Sequence, residues 1–344
     1  MKKVTLKDIA EVVGVSPSTV SRALANLPGV SEELRQKIKD IAKEMGYIPD
    51  MAAKGLKTRQ TKTVGIIIPD ITNPFFTAFL KGVDSVFFSR GYKFIIGNTD
   101  ETPEREKVYI EWFLSHGVDG IISAPSEYRN KELKKIYRNV VKLDVPLIFF
   151  DRVITPMENS VDIVKIDNEA AVKECLEYLK DMGHKEIGIL LGKKGMFTMD
   201  RREKAFIENI KKLKLKTKSD WILKDLFPEW EAYEIIKTFL KRRKKPTAVI
   251  LANQSLAITF LKVASDLKIR IPDDISVITF DDAIENEFYN PPITAIRQPA
   301  ENMGKISATV LLGRIEGDRS KPSKILLKTE LIIRKSVKKQ EVKK

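Results

Sequence analysis

The chain has 344 residues, 43% of them hydrophobic and 31% charged, a composition typical of a folded protein of two or three domains. Its formal net charge of +14 favours an anionic partner, although the same charge also fits a solubility or high-temperature adaptation. The single cysteine, Cys175, excludes an internal disulfide framework. Because no apolar leader follows Met1 and no run reaches about 18 apolar residues, we expect a cytoplasmic protein without a membrane role.

The first 47 residues carry helical patterning only. Thr5, Ser16 and Ser31 each precede an amphipathic stretch, as helix N-caps do, and Pro17 follows at a favourable first helical position. A short helix, a tight turn at Gly14 and a second helix form the helix-turn-helix plan, whose second helix enters the major groove of DNA. On spacing alone, a small helical bundle with a solvated polar face remains the alternative.

The outward face of the predicted second helix can bind DNA. Short hydroxyl side chains at Ser18, Thr19 and Ser21 can reach phosphates, and Arg22 can donate two hydrogen bonds to one guanine.

Residues 4–24 (VTLKDIAEVVGVSPSTVSRAL) resemble the DNA-binding head of the LacI family of bacterial transcription regulators, and the resemblance extends over most of the chain. It implies that Pro17, Ser18 and Arg22 help to read the operator. Ala25 stands where the family usually has Asn, and Asn26 is the nearest replacement. The candidate DNA contacts of the head are Thr5, Ser16, Pro17, Ser18, Thr19, Ser21, Arg22, Asn26 and Tyr47.

Residues 48–62 are predicted to be a hinge and linker. The segment 51–56 (MAAKGL) resembles the hinge helix of the family, which implies that Leu56 wedges into the minor groove with Ala53 and Lys54 beside it. Because isolated helices need about 12–15 residues, we expect this one to form only on DNA. An ordinary basic tether is the alternative.

From residue 64 onward, short apolar runs recur at the spacing of βα units. The runs are 64–69, 94–97, 120–123 and 147–150, and then 187–191, 221–223, 248–251 and 275–280. Because they hardly alternate with polar residues, both faces of each strand should be buried, as in parallel sheets.

The predicted fold is therefore a small all-α helix-turn-helix head followed by an α/β core of two doubly wound parallel-sheet lobes. The predicted domains are a head at 1–47, a hinge and linker at 48–62, an effector-binding and dimerisation core at 63–337 and a basic tail at 338–344. Within the core we expect an N-lobe of about 63–160 plus 293–320 and a C-lobe of about 161–291 plus 322–336.

Ligands of open α/β sheets bind beyond the carboxyl ends of the strands, where this chain has carboxylates, amides and arginines that suit a polyhydroxylated ligand. The family resemblance implies effector contacts from Asp151, Arg202, Asn253 and Asp281, with Phe227 stacked on the effector. The candidate effector-binding residues are Asn73, Phe75, Phe76, Asp151, Arg152, Arg202, Phe227, Asn253, Asp281 and Gln298. Loop capping and domain-interface bonding are the alternatives. Two arginines near the cleft hint at a sugar acid.

We expect a homodimeric regulator, a repressor, that binds a pseudo-palindromic operator and is controlled by a sugar or sugar acid. The alternatives are a regulator controlled by a phosphorylated carrier protein and a DNA-tethered α/β enzyme. No catalytic residue, metal or cofactor is expected, because the sequence has no nucleophile elbow, dinucleotide fingerprint or paired-histidine motif. The resemblance implies a structural role for His184, and Cys175 fits a small core residue.

Overall fold

The computed structural model describes residues 4–47 and 60–340 and divides the chain into two compact units, 1–61 and 62–344. The predicted hinge residues Ala53, Lys54 and Leu56 lie outside the described residues. Within the described ranges, no helix is both long and apolar enough to cross a membrane.

The first unit is the predicted three-helix head. Its helices are α1 (Leu6–Val13), α2 (Pro17–Leu24) and α3 (Glu32–Glu44). A capping box starts α1, because the backbone N–H of Thr5 donates to the Asp8 carboxylate at 2.6 Å while the Asp8 N–H donates to the Thr5 hydroxyl oxygen at 3.4 Å. Gly14, with a φ of +78°, supplies the left-handed turn that ends α1. The three helices share a buried core that includes Ile9, Val20, Ala23, Ile38 and Ala42.

Arg35 ties the loop after α2 to the helix bundle. Its guanidinium is buried and donates to the carbonyl oxygens of Leu27 at 3.0 Å and Val30 at 3.3 Å. The sequence gives no sign of this role, since an arginine in an amphipathic helix usually lies on the solvated face.

The described part of the second unit contains two six-stranded sheets. The first has the order β11-β5-β4-β3-β1-β2 and consists of parallel strands. These strands are β1 (Thr63–Ile68), β2 (Lys93–Asn98), β3 (Gly120–Ser123), β4 (Leu147–Phe150), β5 (Asp162–Ile166) and β11 (Lys324–Leu327). The helices that follow β1, β2, β3 and β5 in the chain are α4 (Pro74–Ser89), α5 (Pro103–Ser115), α6 (Lys131–Lys142) and α7 (Asn168–Asp181), and β4 leads directly to β5.

Among the described residues, the second sheet has the order β12-β10-β9-β8-β6-β7, and only its edge strand β12 pairs antiparallel to its neighbour. Its strands are β6 (Ile187–Leu190), β7 (Ile222–Leu223), β8 (Ala248–Leu251), β9 (Ser276–Phe280), β10 (Thr294–Arg297) and β12 (Glu330–Ile332). The remaining helices are α8 (Phe197–Lys212), α9 (Glu229–Leu240), α10 (Gln254–Asp266), α11 (Glu285–Phe288) and α12 (Ala300–Ile315), with a 3-10 turn at Ser219–Trp221. The predicted head and two-lobed α/β core are thus confirmed.

The predicted limits of the two lobes were wrong at three strands. β5 and β11, assigned to the C-lobe, belong to the first sheet, and β10, assigned to the N-lobe, belongs to the second. These three strands were not among the predicted apolar runs, and a local sequence pattern does not reveal which of the two sheets a strand joins. Here Asp162 opens β5 by accepting hydrogen bonds from Arg314 of α12 at 2.8 and 2.9 Å and from the Ser323 N–H at 2.8 Å. These bonds hold β5 and the start of β11 beside α12.

Two glycines allow α4 and α12 to touch through their backbones. A Cβ atom on Gly82 of α4 would lie 2.0 Å from the carbonyl oxygen of Glu301, and one on Gly304 of α12 would lie 2.1 Å from that of Phe79. Neither position has room for a side chain unless the helices move apart. Gly313, also in α12, has open space around it.

Candidate functional site

The N-terminal end of α2 exposes a cluster of hydroxyl groups. The Ser16 side chain accepts from the Thr19 N–H at 3.2 Å, and its oxygen lies 2.8 Å from the hydroxyl oxygens of both Ser18 and Thr19. Ser16, Pro17 and Ser18 are exposed, and Thr19 is half-buried. The cluster therefore offers hydroxyl groups at the positive end of a helix, where phosphate oxygens bind favourably.

The other predicted contacts of the head lie at several places on its surface. Arg22 and Asn26 are exposed, and Asn26 has a left-handed φ of +54° just after α2. Ser21 is half-buried, as is Tyr47, which packs against the head core. The Thr5 hydroxyl is exposed and donates to Asp8 at 2.8 Å, so it also serves the helix cap.

In the second unit, one cavity at the carboxyl ends of both sheets is lined by all ten predicted effector-binding residues. They are Asn73, Phe75, Phe76, Asp151, Arg152, Arg202, Phe227, Asn253, Asp281 and Gln298. The topology explains the convergence, because these side chains follow a parallel strand or begin the next helix, except for Arg202, which lies in the second turn of α8. Whether they hold an effector stays a prediction.

Two buried aspartates face this cavity. Asp151 follows β4 and Asp281 follows β9, with left-handed φ values of +57° and +71°. Burial raises the pKa of both carboxyl groups, and their mutual repulsion adds to this for Asp151. Gln298 donates its amide N–H to Asp281, whereas its buried Oε1 has no hydrogen-bond partner among the described residues. The cavity therefore presents several acceptors to a ligand that donates hydrogen bonds.

Arg202 of α8 is held rigidly beside these aspartates. It donates from Nε to the Asn168 side chain at 2.7 Å and from Nη1 to the carbonyl oxygen of Ala252. Its guanidinium lies 3.8 Å from the ring centroid of Phe280. Burial lowers the pKa of Arg202, while Asp281 and Asp151 oppose the shift. Fixed hydrogen bonds and ring contact pre-position this cation, so it has little freedom to follow a ligand.

Arg152 is occupied by a partner that sequence reasoning missed. Its Nη1 and Nη2 donate to the two carboxylate oxygens of Glu101 at 2.7 and 2.9 Å. Its Nε lies 3.5 Å from Asp151 without a hydrogen bond. The side chains of Arg152 and Glu101 are only 5% and 12% exposed. The two arginines that hinted at a sugar acid are therefore both engaged within the protein.

Glu101 also links the two lobes. Its backbone carbonyl accepts from Lys193 Nζ, which follows β6 in the second sheet, at 2.5 Å. Lys193 Nζ in turn lies 5.7 Å from the ring centroid of Phe227, which is 43% exposed. The sequence signal for Glu101 is its position four residues after the apolar run 94–97, where a cleft residue is expected.

His184 and Cys175, for which the sequence predicts structural roles, are both buried. His184 is buried, with Nδ1 2.9 Å from the Thr247 hydroxyl and Nε2 3.1 Å from the Lys338 carbonyl oxygen. Cys175 is fully buried in α7. In the described part of the chain, no group of three His, Cys, Asp or Glu side chains could hold a metal ion.

Comparison with known proteins identifies both units. Residues 5–50 match the model of bacterial regulatory proteins of the lacI family, and residues 176–337 match a periplasmic binding protein-like domain. The repressor PurR of Pasteurella multocida is 31% identical over 97% of this chain and 98% of its own length. The probable regulator EndR of Paenibacillus polymyxa is 35% identical over 91% of both chains.

Two solved structures are similar over nearly the whole chain. A complex of the transcriptional regulator CelR with cellobiose is 26% identical, with a TM-score of 0.72, over 97% of this chain and 100% of that one. The lac repressor dimer bound to operator and the anti-inducer ONPF is 23% identical, with a TM-score of 0.85, over 98% and 100%. The similarity to the lac repressor dimer establishes the fold of this chain.

Proposed function

The chain belongs to the LacI family of DNA-binding transcription repressors, and from this premise we propose that it is a homodimer whose operator affinity is controlled by a carbohydrate effector. The observation that carries the proposal is the convergence of ten predicted side chains on one cavity at the carboxyl ends of both sheets. The relatives are transcription regulators, which removes the alternative of a DNA-tethered enzyme.

The exposed face of α2 would read the operator sequence. The hydroxyl cluster at Ser16 and Ser18 would contact phosphates and fix the register of the helix in the major groove. Arg22, exposed on the same helix, would read a guanine. Two heads of a homodimer would bind the two halves of a pseudo-palindrome, and Leu56 would wedge into the minor groove between them.

The chemistry of the cavity suits a carbohydrate. The Asp151 and Asp281 carboxylates, which line the cavity, can accept hydrogen bonds from hydroxyl groups. Phe227, partly exposed, offers a ring face to the apolar side of a pyranose. The cellobiose complex of the similar regulator CelR supports this ligand class.

Control of DNA binding follows from the position of the cavity between the lobes. A ligand held by Asp151 of the first lobe and Asp281 of the second favours one relative arrangement of the two sheets. This arrangement of the sheets would in turn act on the hinge segments. The operator affinity would then change by a coupling free energy of about 1–3 kcal/mol.

A ligand screen followed by an operator titration tests this proposal. A carbohydrate at about 100 times its dissociation constant stabilises the folded state by about 2.7 kcal/mol, which a thermal-shift assay detects readily. Asp281→Asn should abolish the shift and keep operator binding, whereas Arg22→Ala should weaken operator binding and keep the shift. No response to any mono- or disaccharide, or equal responses in the wild type and Asp281→Asn, would refute the carbohydrate site.

A further inference from the structure

Glu101 has a backbone conformation that is unusual for a residue other than glycine. It lies three residues beyond β2, and both Asp100 and Glu101 have left-handed φ values, +53° and +54°. Such backbone is unfavourable for a residue such as glutamate unless its surroundings hold it there. Here the Glu101 carboxylate is held by Arg152 and its carbonyl oxygen by Lys193 of the other lobe.

The pairing with Glu101 decides what Arg152 can bind. A guanidinium with free Nη1 and Nη2 groups binds a carboxylate or phosphate through two parallel hydrogen bonds. Glu101 fills both positions at 2.7 and 2.9 Å, in the wall of the cavity. Glu101 thus stands where the anionic group of a ligand would otherwise bind.

The remaining charges in the cavity wall add to the exclusion of anions. In the described part of the chain, the ionisable lining residues are five acids and three bases, namely Asp70, Asp100, Glu101, Asp151 and Asp281 with Arg152, Lys193 and Arg202. Each base already donates to a group of the protein. Outside the lining, the buried Glu106 also acts electrostatically on Arg152.

We propose that Glu101 is a specificity-determining residue: by occupying Arg152, it restricts the cavity to uncharged effectors and excludes sugar acids and sugar phosphates. This inference rests on the proposed effector site and names the charge class of its ligand. It predicts that removal of the Glu101 carboxylate turns Arg152 into an oxyanion site.

The experiment uses the full-length chain with inorganic phosphate, gluconate and glucose as probes, at constant ionic strength set with chloride. In Glu101→Ala, phosphate and gluconate should raise the melting temperature in a saturable way, with at least about tenfold tighter binding than in the wild type. Glu104→Gln is the matched control, because it removes an exposed carboxylate three residues further along the chain, outside the cavity lining, and leaves the Arg152 pair intact. It should respond as the wild type does.

A second variant locates the new site. Glu101→Ala combined with Arg152→Met should lose the gained response, which places the anion on Arg152. If Glu101→Ala does not fold, Glu101→Gln keeps one acceptor for Arg152, and a smaller saturable gain is expected. The proposal is overturned if the wild type binds gluconate as tightly as Glu101→Ala, if neither variant gains anion binding, or if the double variant retains it.

These outcomes are independent of the carbohydrate proposal. A gain of phosphate binding in Glu101→Ala without any sugar response would uphold the role of Glu101 and refute the carbohydrate effector. Sugar binding by the wild type without a gain of anion binding in Glu101→Ala would support the carbohydrate effector and refute the role of Glu101.

Discussion

Replacement of Glu106 by glutamine should remove a pH dependence of stability that is built into the first lobe. Glu106 of α5 is fully buried, and its carboxylate accepts from the Ser126 N–H at 2.8 Å, from the Ser126 hydroxyl at 2.6 Å and from the Tyr137 hydroxyl. Burial raises its pKa from 4.5 to about 7, although these hydrogen bonds oppose the shift.

The sign follows from proton binding. Between pH 4.5 and about 7 the folded state holds a proton that the unfolded state has lost, so the stability of the wild type falls as pH rises through this range. At about 1.4 kcal/mol per pKa unit, the full change has an upper limit of about 3.5 kcal/mol. His184 acts in the opposite direction, because burial lowers its pKa to about 4, and its contribution is lost as pH falls from 6.5 towards that value.

Because these two effects overlap in the wild type, the assay compares variants. Urea unfolding between pH 4.5 and 8 can be followed by tryptophan fluorescence, since Trp112, Trp221 and Trp230 all belong to the second unit. The difference in free energy of unfolding between Glu106→Gln and the wild type should rise by up to about 3.5 kcal/mol in favour of the variant as the pH increases from 4.5 to 8. Glu104→Gln, an exposed control in the same helix, should follow the wild type. A constant difference between wild type and Glu106→Gln over the whole range would refute the reasoning.

Two further substitutions, one in each unit, test the packing of the protein, and a third serves as a control. Gly304→Ala should destabilise the core by about 1–3 kcal/mol, because its Cβ would collide with the Phe79 carbonyl oxygen. Gly313→Ala in the same helix meets open space and should be neutral or stabilising by up to about 1 kcal/mol in the same urea titration, and equal effects would contradict the backbone contact. Arg35→Ala should weaken operator binding and lower the melting temperature of the head, because the Leu27 and Val30 carbonyl oxygens lose their donor. Amide exchange of residues 25–30 should accelerate, and unchanged exchange would argue against the role of Arg35.

The elements of this fold follow from local patterns, whereas the contacts between them do not. Caps at Thr5, Ser16 and Ser31 placed the three helices of the head because an N-cap acts within one helical turn. In the described part of the core, the eight strands β1 to β4 and β6 to β9 were recognisable as apolar runs, as expected of parallel strands buried on both faces, whereas β5, β10, β11 and β12 were not among the predicted runs. The sheet joined by β5 was assigned wrongly, since that choice depends on Arg314, which lies 152 residues from Asp162.

In the candidate site, too, the sequence predicts residues at strand ends but not the contacts between residues that are distant in the chain. Asp151 and Asp281 were predictable because strand ends converge in an open sheet. The availability of Arg152 was not predictable, because it depends on Glu101, 51 residues away. Lys193 and Glu101 meet across the two lobes, and no pattern along the chain records that contact.

The most direct test of the account measures operator affinity with and without effector. Full-length protein is titrated against a fluorescent pseudo-palindromic duplex, selected by the protein from a random pool, in the presence and absence of a saturating carbohydrate identified by thermal shift. The account predicts that the carbohydrate changes the operator dissociation constant by about 5- to 150-fold in the wild type. Asp281→Asn should show no change. An identical operator affinity for the wild type with and without bound carbohydrate would contradict the central claim.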